Sequence, residues 1–326
     1  MSSRVPAAAS APLDATTTVG ELGEFTMISH LVAQLEQGDG VILGPGDDAA
    51  EVEATTGRFL LCTDVLVDGR HFRRDWVEAP EVGRRAAAQS LADIAAMGGR
   101  PTAVTVGVVA PADLPAAWLV GMIGGLAEEC ASVGASVVGG DLTRGDQLVL
   151  SVTATGTADG PPVRRSGARA GDLVAMTGRQ GWAAAGLAVL GRGFRSPRVL
   201  VEAYRRPEVP YAAGPEARVL GATAMVDVSD GLVADLGHVA ESSGVAIDIR
   251  SAAFEIDEPL QAVGAALGVD PLGFILGGGD DHALVATFPS GTDLPEGWLL
   301  VGEVSEGEGV TVDGAAHEGP AGFTHF

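Results

Sequence analysis

Lysine is missing from this chain: its 20 basic residues are all arginine, set against 43 acidic ones for a formal charge of −23. That absence excludes a P-loop lysine, the strand lysine of protein kinases, a Schiff base and a lysine general base. The acidic balance also argues against a nucleic-acid backbone or an anionic membrane as partner, since both are held by basic patches. A protein of this composition that handles polyphosphate must neutralise it with arginines, backbone N–H groups and metal ions. Cysteine is scarce too. Cys62 and Cys130 stand far apart and out of metal-ligand spacing, which excludes a disulfide framework and a zinc site and fits a reducing cytoplasm. No apolar run reaches the length of a membrane-spanning helix. Residues 1–19, broken by Pro6 and Pro12, lack the apolar stretch of a signal peptide and read as a disordered lead.

What is present suits a compact two-domain enzyme: 326 residues, 46% hydrophobic and 19% charged. Apolar residues at helical spacing over 22–37 predict a leading amphipathic helix. Strands are expected at 41–44, 58–63, 102–109, 135–140 and 147–157, with helices at 81–97 and about 115–132. That order predicts an N-terminal α+β domain, residues 20–160, with a mostly antiparallel sheet. The turn-rich, arginine-rich stretch "ADGPPVRRSGARAGD" marks the boundary, and residues 161–326 read as a C-terminal α/β domain.

Acidic motifs recur along the chain with one grammar, an aspartate beside a small residue at the edge of an apolar run. They include Asp47-Asp48 in "VILGPGDDAAEV", Thr63-Asp64, Asp93 in "SLAD", Gly140-Asp141, "DVSDG" at 227–231 and "GGGDDH" at 277–282. Any one of these is equally well read as turn chemistry or helix capping. Asp93 is different, because it lies inside an alanine-rich helix where close packing favours a ligand over a solvated face. Aspartate is a short oxygen donor suited to Mg²⁺, and glycine lets a ligand approach the backbone. Two unit charges about 4 Å apart repel by roughly 4 kcal/mol at an effective dielectric near 20. Carboxylates sharing one cleft therefore require cations or large pKa shifts. Arg164, Arg165 and Arg169 offer forks for phosphate oxygens, and are as readily a solvated linker. His71, just after the Thr63-Asp64 strand, is a weaker candidate for the same cleft.

In this order, "GELGEFTMI", "GPGDDAA", "CTDVLVDGRHF", "SLADIAAMGGRP", "GGDLTRG", "RSGARAGD", "DVSDGLVADLGH", "GGGDDHAL" and the terminal "GFTHF" resemble the thiamine-monophosphate kinase family, which is related to aminoimidazole ribonucleotide synthetase and selenophosphate synthetase. The pieces cover nearly the whole chain beyond residue 19. The resemblance implies transfer of the γ-phosphoryl group of ATP to thiamine monophosphate, giving thiamine diphosphate by direct in-line attack. It implies several Mg²⁺ ions and a homodimer paired through its N-terminal sheets. Carried over by position, Asp48, Thr63, Asp64, Asp93, Asp141, Asp227 and Asp230 are implied metal ligands. Gly140, Asp141, Arg165 and Ser229 are implied ATP contacts, and His71, Asp280 and Phe323 fall on the thiamine-phosphate side. No catalytic residue is implied beyond the ligand aspartates.

Three departures stand out. Cys62 replaces a frequent Ser or Thr, "GGGDDH" replaces the commoner Gly-Gly-Glu-Asp-Tyr, and Phe323 replaces a frequent Trp. Two other readings stay open at this point: a different enzyme of the same family, acting on a purine ribotide, and a non-catalytic ATP or metal sensor.

Overall fold

The structure, a computed structural model, describes residues 13–14, 16–45, 50–54 and 57–323. It divides into two compact units, Met1–Ile94 with Arg100–Thr157, and Ala95–Gly99 with Ala158–Phe326. The sequence-based boundary lies at 160/161; the units part at 157/158, and the end of one helix is counted with the second unit.

The first unit carries α1 (Val19–Leu22), α2 (Glu24–Val32), β1 (Val41–Leu43), β2 (Glu51–Val52), β3 (Leu60–Val67), α3 (Ala79–Ala96), β4 (Arg100–Ala110), α4 (Ala116–Ser132), β5 (Ser136–Arg144) and β6 (Val149–Thr157). The expected leading helix is two short ones, broken where Gly23 takes a positive φ of 74°. Four strands form a sheet in the order β3-β6-β4-β5, antiparallel except for β4 with β5. Period-two alternation decides its faces. Leu66, Val104, Val106, Val108, Leu150, Val152 and Ala154 are buried, whereas Leu61 and Val65, on the other face, are 60% and 47% exposed. The buried face meets α3, whose buried alanines 86, 87, 88 and 92 let the helix lie close. α3 and α4 in turn approach so tightly that a Cβ on Gly83 would sit 1.9 Å from the Met122 carbonyl oxygen.

The second unit holds β7 (Leu173–Thr177), α5 (Trp182–Gly191), α6 (Arg198–Arg205), α7 (Ala213–Leu220), β8 (Ala224–Asp227), α8 (Leu232–Ser243), β9 (Ala246–Ile249), α9 (Glu258–Leu267), α10 (Leu272–Gly277), β10 (Leu284–Phe288), β11 (Trp298–Ser305), β12 (Gly309–Val312) and β13 (Ala315–Ala316). Seven strands make one sheet, β13-β12-β9-β11-β7-β10-β8, in which only β9 with β12 runs parallel. Helices and strands are interspersed up to β10, and the last four strands follow one another without a helix. Alternate residues of one strand enter separate cores: Val174 and Met176 join one, Ala175 the other, and Val226 and Met225 divide likewise. Burial on both faces explains why "LVAMT" and "LVATF" are almost wholly apolar rather than alternating.

Candidate functional site

In the first unit two acids and a thiol come together. Ligand atoms of Cys62, Asp64 and Asp93 all lie within 4.8 Å of one another. Strand alternation puts Cys62 and Asp64 on the α3 side of β3, and Asp93 reaches the same place from the last turn of that helix. Asp64 is held at both oxygens: Ser90 donates its hydroxyl to Oδ2 at 2.6 Å, and the Gln89 amide donates to Oδ1 at 3.0 Å. The Cys62 thiol donates to the Ser90 carbonyl at 3.2 Å. Burial pushes its pKa far above the ordinary thiol range, and the Asp93 and Asp64 charges push it further, so it stays protonated. The donor set fits a hard, oxygen-seeking divalent cation through its two carboxylates, with the thiol in a supporting rather than a ligating role.

The other residues singled out in this unit are placed elsewhere. The Thr63 hydroxyl lies on the opposite face of β3 from Asp64 and bonds that of Thr153 at 2.8 Å. Registers Asp64↔Val152, Val152↔Val106 and Val106↔Gly140 set Gly140 in the row of Asp64 but three strand spacings away, roughly 14 Å. Asp141, one residue on, points to the exposed face, so the sheet does not bring it to Asp64 and Asp93. Gly140 admits no side chain, because a Cβ would stand 2.1 Å from the Val106 carbonyl oxygen. His71 lies in the turn after β3, where Nδ1 accepts the Val67 N–H at 3.0 Å and the ring proton is left on Nε2. Asp48 lies outside the described residues.

In the second unit the ends of β8 and β10 carry the remaining acids. Asp227 closes β8, and its Oδ2 stands 3.0 Å from Nδ1 of His282, both side chains being buried. Ser229, Asp230 and Gly231 then turn into α8. Asp235, one turn into that helix, accepts the N–H groups of Asp230 and Gly231 at 3.0 Å each. Burial, the first of several causes, raises its pKa to about 6. The facing loop crosses at backbone distance: Asp280 N–H donates to the Ser229 carbonyl at 3.0 Å, and a Cβ on Gly279 would sit 1.9 Å from that oxygen. Asp280 and His282 hold positive φ values of 69° and 54°, strain of the kind that persists where surroundings dictate it. Asp281 turns inward to accept the Ala183 N–H at the start of α5, and burial above all raises its pKa to about 7.

The end of the described chain clasps this loop. Ala234 N–H donates to the Ala321 carbonyl at 3.1 Å, and Phe323 N–H to the Asp230 carbonyl at 3.0 Å, with the Phe323 ring exposed. Arg165 is exposed on the loop before β7, where its carbonyl accepts the Ser243 hydroxyl. Four residues of these arrangements, Gln89, Ser90, Asp235 and His282, lie in or beside the sequence motifs but were given no role there. Ser90 and Gln89 had a signal, since they precede Asp93 by three and four positions on one helix face; Asp235 and His282 had none beyond membership of the quoted motifs.

This pairing of an α+β domain with a helix-flanked antiparallel domain, each with aspartates at strand ends, defines a class. Models of the N-terminal and C-terminal domains of AIR synthase related proteins match residues 46–158 and 169–313. A thiamine-monophosphate kinase of Mycobacterium tuberculosis is 48% identical over 95% of this chain and 93% of its own. The solved structure of AaThiL complexed with AMPPCP and TMP covers 96% of this chain and 100% of that one, at a TM-score of 0.79 and 33% identity. The thiamine-monophosphate kinase of Stenotrophomonas maltophilia K279a also gives 0.79, with 32% identity over 90% and 98% of the two chains. The chain belongs to the thiamine-monophosphate kinase family of AIR synthase related proteins.

Proposed function

We infer that the chain phosphorylates thiamine monophosphate at the expense of ATP, yielding thiamine diphosphate and ADP. The near full-length match to a relative complexed with AMPPCP and TMP carries this reading. An oxygen of the acceptor phosphate attacks the γ-phosphorus of ATP in line, and the bond from that phosphorus to the β–γ bridging oxygen breaks, leaving ADP. The acceptor is already ionised near neutral pH, so no strong general base is required, and a lysine-free, aspartate-rich site is chemically coherent. Mg²⁺ supplies charge neutralisation and alignment when bound. Asp64 and Asp93 would hold it in the first unit and Asp227 and Asp230 in the second, with Asp48, Thr63 and Asp141 assigned by family position. Gly140, Asp141, Arg165 and Ser229 take the nucleotide. His71, Asp280 and the exposed ring of Phe323 take the thiamine phosphate, the ring offering a stacking surface.

The enzyme works as a homodimer in this reading, paired through the exposed sheet face that carries Leu61 and Val65. A cytoplasmic setting agrees with two free cysteines. No described helix is long and apolar enough to cross a membrane. Incubation with ATP, Mg²⁺ and thiamine monophosphate, followed by chromatography, tests the activity. Thiamine diphosphate with stoichiometric ADP is expected; ADP released only with a purine ribotide, or ATP bound without turnover, would overturn it. Asp93→Asn is expected to abolish turnover in a folded protein.

A further inference from the structure

The buried pair Asp227–His282 sits where the chain departs from its family's usual sequence, with histidine in place of tyrosine. A carboxylate with its side chain 5% exposed must find a donor, and Nδ1 of His282 stands 3.0 Å from Oδ2. The backbone that carries the ring is held. His282 N–H donates to the Val228 carbonyl at 3.2 Å, and Val228 N–H donates to the Ala283 carbonyl at 2.8 Å, so both neighbours of the pair are tied by backbone bonds. The left-handed φ of 54° at His282 is what turns the imidazole back toward the end of β8. A side chain held in an unfavourable backbone conformation, buried, and aimed at one oxygen of an acid is built to orient that acid.

We propose that His282 is a positioning residue: its Nδ1–H fixes Oδ2 of Asp227 so that the other oxygen is presented to the divalent cation accompanying the nucleotide. The proposal rests on the assignment of Asp227 as a cation ligand made above. It needs no change of protonation on the ring, only a donor at the Nδ1 position. Asparagine places an amide nitrogen at that point and tolerates positive φ, whereas glycine tolerates the same φ and offers no donor.

The test measures Mn²⁺ binding in the presence of a non-hydrolysable ATP analogue, reading free Mn²⁺ by electron paramagnetic resonance on the full chain. His282→Gly is expected to weaken the nucleotide-dependent Mn²⁺ affinity by about tenfold or more, and His282→Asn to stay within about threefold of the parent. Equal affinity in His282→Gly and the parent, or an asparagine variant as weak as the glycine one, overturns the positioning role. If the glycine variant fails to fold, His282→Leu fills the space without a donor and is read in the same way. Asp227→Asn separates the two assignments. Weak Mn²⁺ binding in that variant beside normal binding in His282→Gly defeats only the histidine's role; normal binding in Asp227→Asn removes the ligand assignment and the proposal with it.

Discussion

The hydroxyl of Ser90 donates to Oδ2 of Asp64 across 2.6 Å, from a helix to a strand 26 positions earlier in the chain. Ser90 is fully buried, so the bond is sheltered from water. A hydrogen bond to a charged partner contributes about 1.5–3 kcal/mol. Ser90→Ala should therefore lower kcat by roughly tenfold and shift the Mg²⁺ concentration for half-maximal rate upward. A Mg²⁺ titration of initial rates checks this; an unchanged titration curve in a slower enzyme would mean that Ser90 does not orient a ligand.

Asp281 predicts a pH effect on stability. Its folded pKa, raised from 3.8 to about 7 by burial, lies above the unfolded value. Between those two values the native state holds more protons than the unfolded state, so stability falls as pH rises. The contribution is complete below about pH 4 and lost as pH climbs through about 7; the Ala183 N–H and the Arg179 charge oppose the upward shift, and the Asp280 charge adds to it. Asp281→Asn keeps an acceptor for the Ala183 N–H and does not titrate. Denaturant melts should show the variant gaining on the parent from pH 5 to pH 8, and parallel curves would contradict the assignment.

Leu61 and Val65 lie exposed on one face of β3, beside the hydroxyls of Thr63 and Thr153. A second copy of the chain covering that face would bury them, and a charge placed there would have no partner. Val65→Glu should halve the mass seen by light scattering and leave the far-ultraviolet circular dichroism unchanged. A parent that is already monomeric would remove the sheet-to-sheet pairing.

Residues 320–323 are expected to hold the Asp230 loop. Truncation after Gly319 removes the acceptor of the Ala234 N–H and the donor to the Asp230 carbonyl. Hydrogen exchange at Ala234 should accelerate markedly, and KM for thiamine monophosphate should rise, whereas Phe323→Ala should raise KM with exchange at Ala234 left slow. Equal exchange in the truncated and parent chains would show that the tail is not a clasp.

Much of the architecture was legible in advance because it follows from local periodicity. The alanine-rich run around Asp93 gave both a helix and the reason an acid inside it stands close to a sheet. The alternation in "QLVLSVTATGT" gave a strand with one covered face. The same period of two already separated Thr63 from Cys62 and Asp64, although family position set all three side by side. Asp141 was harder, because its face depends on registers that run across four strands and through an irregularity between β4 and β5.

The amino-acid sequence by itself determined the chemistry this protein has at its disposal: short carboxylates, arginines without lysine, and glycines wherever backbones touch. Composition and local pattern are properties of neighbours along the chain. The tertiary structure alone decided which acid received which donor, Ser90 for Asp64, His282 for Asp227 and Ala183 for Asp281. Those pairings join residues 26, 55 and 98 positions apart, and their geometry exists only once strands have found their register and helices have settled onto them.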